Sequence, residues 1–160
     1  MLEKQKHIQK IYTEKAIAIL KICIVILIFG MTTYIIPFLI YEEFDFGIIF
    51  EIISFIFVFI AIIRIGKEQI QVGKRNIIIA MISIGWITIY DGVCVIFNIE
   101  EVIIDFLMYF FRYSYVLGFI MPFIYEFALI VLLYKAYCSL GRVDGTRKEN
   151  NFTESFYDEI

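Results

Sequence analysis

The sequence predicts an all-α membrane protein: a four-transmembrane-helix antiparallel bundle with both termini in the cytoplasm. Three observations carry that reading. Hydrophobic residues make up 61% of the 160 positions and the mean hydropathy is +0.84, well outside the soluble globular range. The apolar residues gather into four runs of about twenty, enough to cross a hydrocarbon core of ~30 Å as a helix rising ~1.5 Å per residue. The segments between the runs are alternately rich and poor in Lys and Arg, as the positive-inside rule requires of a polytopic chain. The abundance of isoleucine is read as codon bias, not β-propensity; the length of the apolar runs decides for helix.

The first span is expected over residues 16–40. Before it, Lys4, Lys6, Lys10 and Lys15 accompany Ile8, Ile11 and Tyr12 at helical spacing. That pattern fits either a basic amphipathic segment on an anionic membrane surface or a plain continuation of the first helix. Lys21 interrupts the span near its basic end, where its ammonium can snorkel to the interface. Tyr34 and Pro37 mark the far end. Glu42, Glu43 and Asp45 then form a short acidic turn, read as outside, and the second span covers residues 46–65. The loop bearing Arg64, Lys67, Lys74 and Arg75 reads as inside.

The third span covers residues 77–97 and leads to Asn98, Glu100, Glu101 and Asp105, an acidic outer segment with Arg112 as its one basic counterweight. Residues 100–112 are apolar enough for an interfacial helix or for an early start to the fourth span, residues 113–134; the pattern fits both. Lys135, Arg142, Arg147 and Lys148 follow on the inner side. The expected organisation is one transmembrane domain, residues 1–140, and a polar cytoplasmic tail, residues 141–160, of a multi-pass protein of the cell membrane.

Composition also excludes. The net charge is -3 and the pI near 5.2, with no basic cluster interleaved with exposed aromatics, which argues against nucleic acid as a partner. Cys23, Cys94 and Cys138 are far apart, and the single histidine, His7, is remote from all of them. No zinc site, thiol redox motif or other metal site is expected, and no cofactor. The first apolar run is too long for a signal-peptide core and lacks a small-residue cleavage site, so it is expected to stay in the membrane.

Three acids stand out, each directly after an aromatic: Phe50-Glu51, Tyr90-Asp91 and Tyr125-Glu126. Counted along the helices, Glu51 and Asp91 fall ~8–9 Å below the outer boundary, at matching depth on neighbouring helices. Two carboxylates in a poorly solvated site do not easily both ionise, so they take up a proton or share a cation. Glu51 shares its face with Ser54, Val58 and Ala61, and Asp91 with Thr88, Ile84 and Ala80, small and partly hydroxylic faces suited to close packing or to a narrow wet cleft. Glu126 is expected deeper, ~20 Å from the outer end if span four starts at Tyr113. It follows Pro122 by one turn, and that proline frees the carbonyl of Gly118, an arrangement used by ion-handling helices and equally by kinked structural ones. Lys21 approaches from the other side, so an ion pair with Glu126 is expected if the latter is structural. For Glu51 and Asp91 the structural alternative is hydrogen bonding to Tyr90, Thr88 or Arg112.

Three functions follow from these residues. The first is an accessory, regulatory or protective subunit acting through helix–helix and cytoplasmic contacts with a membrane-protein partner or in a homo-oligomer. The second is a small proton- or cation-coupled carrier or channel-like protein using Glu51, Asp91 and Glu126. A lipid-active membrane enzyme ranks third, because no histidine-based, nucleophilic or metal-binding motif supports catalysis and no catalytic residue is assigned.

Overall fold

A computed structural model describes residues 2–41, 46–97 and 123–143, with side chains described at 6–32, 46–93, 96–97 and 123–143. All regular structure among them is α-helical: α1, Leu2–Tyr41; α2, Gly47–Gly66; α3, Ile70–Phe97; and α4, Phe123–Val143. Each contains a stretch long and apolar enough to cross a membrane: Lys6–Thr32, Gly47–Gly66, Ile70–Val93 and Phe123–Val143. The four spans expected from composition are therefore present as helices.

The boundaries differ from the expected ones at three places. Of the two readings of the basic amino-terminal residues, continuation of the first helix holds: they form the first turns of α1, which is helical from Leu2 and continues through Pro37 to Tyr41. Helix α3 begins at Ile70, because Ile70 already packs on the core and Gly73 lies against Ile65. Helix α4 runs past Tyr134 to Val143, since Ala136, Leu140 and Val143 extend its buried stripe. Residues 98–122 and 144–160 lie outside the described residues, and with them the question of residues 100–112, Arg112, Gly118, Pro122 and nearly all of the tail.

Each helix buries one narrow stripe. On α1 it is Ala16, Leu20, Cys23, Leu27 and Gly30; on α2, Gly47, Glu51, Ser54, Val58, Ala61 and Ile65; on α4, Glu126, Leu129, Leu133, Ala136, Leu140 and Val143. Steps of four and three residues alternate in all three, the ~3.5-residue period of helices that wind round one another with side chains interdigitating. On α3 the stripe is broader and runs through Gly73, Ile77, Ala80, Ile84 and Ile87, flanked by Asn76 and Ser83. Fourteen of these side chains, from all four helices, form one apolar core.

In lipid the burial of apolar surface does not drive helices together, so close packing must. The stripes accordingly carry Ala16, Gly30, Gly47, Ser54, Ala61, Gly73, Ala80 and Ala136 among larger residues. At Gly73 a methyl group would overlap Ile65 of α2, which marks the closest approach of α2 to α3 there. The other faces present Val25, Phe29, Trp86 and Phe127, each more than half exposed, as suits contact with acyl chains.

A short turn joins α2 to α3. Lys67 donates its backbone N–H to the carbonyls of Ile63 and Arg64, Gln69 donates to Arg64 at 2.9 Å, and the Arg64 guanidinium donates to Gln69 Oε1 at 2.9 Å. Glu68 between them adopts a left-handed conformation, φ 62°. Farther along, Arg142 of α4 donates to the Tyr12 hydroxyl of α1 at 3.4 Å and lies over its ring, and Lys74 of α3 lies over the ring of Tyr137 of α4.

Candidate ion-handling site

The stripes bring the three acids together. Glu51 is 1% exposed and Glu126 1% exposed, and the carboxylates of Asp91 and Glu51 both act on Glu126 as like charges. Glu51 lies ~6 Å into α2 and Asp91 ~9 Å before the last described turn of α3, on a rise of ~1.5 Å per residue. The expected depth of Glu126 in a span starting at residue 113 rests on residues 113–122, which lie outside the described residues. Within the bundle Glu126 stands level with Glu51, which the neighbouring Tyr125 reaches across to bond.

Each side chain is aimed inward by its place in a stripe. Glu51 takes the seam position between Gly47 and Ser54, and Glu126 takes the one that Leu129 and Leu133 continue. Asp91 lies one turn beyond Ile87 and is half-buried. Tyr125, next to Glu126 and so ~100° round α4, reaches α2 and donates its hydroxyl to Glu51 Oε1 at 2.7 Å. Helix α1 contributes a glycine: Gly30 is buried where a methyl group would overlap the Tyr125 hydroxyl and come within 2.7 Å of Glu51 Oε1. All four helices therefore meet at one polar cluster in the bundle interior.

Glu126 is the most exacting member. Thr88 and Asp91 flank it, but neither meets hydrogen-bond geometry, and both of its oxygens lack a hydrogen-bond partner among the described residues. Thr88 spends its own proton on the carbonyl of Ile84, 3.1 Å away. The expected ion pair with Lys21 is not formed. Lys21 sits between the seam residues Leu20 and Cys23 and points to the exposed side of α1, whereas Glu126 is sealed in the core. Every Lys and Arg with a described side chain is exposed or half-exposed, and on each helix they lie away from the acids. A buried carboxylate with neither a hydrogen bond nor a cation is expensive, on the order of several kcal/mol if charged, and a proton or a cation beside it removes that cost. Among the described residues no group of three His, Cys, Asp or Glu side chains is arranged to hold a metal ion.

Beyond the cluster the interior is closed by Leu27, Val58, Ile84 and Leu129, with Leu20 and Leu133 beyond them. A few polar side chains interrupt that seal. Ser54 donates to the carbonyl of Ala80 at 3.3 Å, Ser83 is 7% exposed, and Asn76 is 6% exposed with its Nδ2 lacking a partner among the described residues. These three lie along the α2–α3 seam between the acids and the basic turn, as widely spaced polar steps.

No known protein family, curated protein or solved structure matches this chain. Its chemistry has to be read from its own residues.

Of the residues singled out from the sequence, Glu51, Asp91, Glu126 and Thr88 converge; Tyr90 faces outward, 40% exposed, and Lys21 is remote from the cluster. Two members were not singled out. Gly30 is legible as the next step of the 16, 20, 23, 27 stripe on α1, which runs four, three, four and then three residues. Tyr125 reads in sequence as an ordinary aromatic beside an acid, and nothing in its spacing points across to Glu51.

Proposed function

We propose that this chain is a proton- or cation-coupled carrier of the cell membrane, an antiparallel four-helix bundle with both termini in the cytoplasm. The observation that carries this is the convergence of Glu51, Asp91 and Glu126 from three helices, with Glu126 buried in the interior and neither hydrogen-bonded nor ion-paired among the described residues. Ionisable side chains inside a membrane bundle are costly and are kept where they relay protons or bind ions. The orientation draws on charge: Lys6 to Lys21, Arg64 to Arg75 and Lys135 to Arg142 belong to one side by the positive-inside rule, and the three acids lie towards the other. The antiparallel arrangement draws on two α1–α4 contacts, Tyr12 with Arg142 and Gly30 with Tyr125.

In this reading protons enter from the outer side at half-buried Asp91 and pass among the three carboxylates, with the Tyr125 hydroxyl holding Glu51 in place. The apolar seal of Leu27, Val58, Ile84 and Leu129 prevents an open pore, so release towards the basic end requires the seam to part, with Ser54, Ser83 and Asn76 as the polar steps it uncovers. That is carrier behaviour, not channel behaviour.

The accessory-subunit reading is favoured by one feature, the apolar layer of Leu27, Val58, Ile84 and Leu129 that closes the interior. Proteoliposomes separate the two. The wild-type protein is expected to dissipate an imposed pH gradient faster than protein-free vesicles, and Glu51→Gln, Asp91→Asn and Glu126→Gln each to slow it by about tenfold or more. Unchanged rates in all three variants would sink the carrier and leave the subunit.

A further inference from the structure

We propose that the cleft between the first turns of α3 and the last turns of α4 is a binding site for an anionic phospholipid, held by its phosphodiester headgroup. The cleft has a volume of about 350 Å³ and is lined by Gln71, Val72, Lys74, Arg75, Ile78 and Tyr137. Two cations, an amide and a phenol supply hydrogen-bond donors suited to phosphate oxygens, and no carboxylate lines it. Lys74 Nζ stands 5.0 Å from the centroid of the Tyr137 ring, a cation–π contact that gives the cleft a wall from each helix.

The position selects a lipid over a free anion. The cleft lies at the basic end of both helices, where a spanning segment leaves the hydrocarbon for the headgroup layer. From its rim an apolar stripe runs down the outward face of α3 through Ile78, Ile82, Trp86 and Ile89, which are 37%, 56%, 54% and 57% exposed. Steps of four, four and three residues keep these side chains on one face of the helix, in line below Arg75. A molecule with a phosphodiester at one end and acyl chains at the other uses both parts; inorganic phosphate uses only the first. This site is separate from the carboxylate cluster and independent of any transport role.

The test is thermal unfolding of the full chain in phosphatidylcholine nanodiscs, with or without dioleoylphosphatidylglycerol, alongside native mass spectrometry of retained lipid. Phosphatidylglycerol is expected to raise the unfolding temperature and to remain bound. The Lys74→Gln/Arg75→Gln variant is expected to retain it about thirty-fold more weakly, as follows from ~1 kcal/mol per basic residue near an anionic lipid. Lys74→Arg/Arg75→Lys, which keeps both charges, and Arg64→Gln, a basic residue outside the cleft, are expected to bind as the wild type does. Equal stabilisation by phosphatidylcholine alone, full retention in the double glutamine variant, or an equal loss in Arg64→Gln would overturn the site. Reproduction of the whole effect by millimolar inorganic phosphate would overturn the lipid assignment.

Discussion

Glu126→Leu is expected to make the protein more stable and to abolish its transport. Leucine continues the α4 stripe that Leu129 and Leu133 already form, and it removes a carboxylate whose two oxygens lack hydrogen-bond partners among the described residues. It also removes the like-charge influence of Asp91 and Glu51. The gain from no longer burying an unsatisfied polar group is about 1–3 kcal/mol, readable as a shift in a denaturation midpoint in mixed micelles. A residue kept at a cost in stability is one retained for what it does, the usual trade between stability and activity. The opposite result, a loss of stability on Glu126→Leu, means that the carboxylate holds the bundle together and belongs to a structural network.

Gly30→Ala is expected to destabilise the bundle by about 1–3 kcal/mol, the range for forcing atoms into a filled interior. Intrinsic helix propensity alone favours alanine by ~1 kcal/mol, so the sign is decided by packing. The added methyl group meets the Tyr125 ring and hydroxyl, which are held in turn by the 2.7 Å hydrogen bond to Glu51. Neither α1 backbone nor ring yields without losing that bond. Tyr125→Ala opens the space, so Gly30→Ala/Tyr125→Ala should cost clearly less than the two single changes added together. Strict additivity, measured by the same unfolding method, means that Gly30 and Tyr125 do not share a site.

How much of this was legible beforehand follows from which distances a helix period can supply. The four spans came from run length alone, because lipid admits only segments that satisfy their own backbone. The inward aim of Glu51, with Ser54, Val58 and Ala61, came from one-helix geometry, and those residues are the buried face of α2. Depth across helices was harder. That Glu126 stands level with Glu51 depends on how α4 packs against α2, which hydropathy along one helix does not mark. Lys21 does not pair with Glu126 for a related reason: closeness along the axis is not enough, since a lysine one position from Leu20 is turned ~100° away from the seam. Tyr125 and Gly30 depend on the packing of α4 against α2 and α1, which no single-helix periodicity encodes.

In the carrier reading Glu51 and Glu126, on different helices, serve one site. The decisive measurement is the rate of proton-gradient dissipation in proteoliposomes carrying Glu51→Gln, Glu126→Gln and the double variant. If the two acids act as one unit, the double variant is no slower than the slower single variant, as groups acting together are non-additive. If the two losses multiply, the acids work independently and the shared site is wrong.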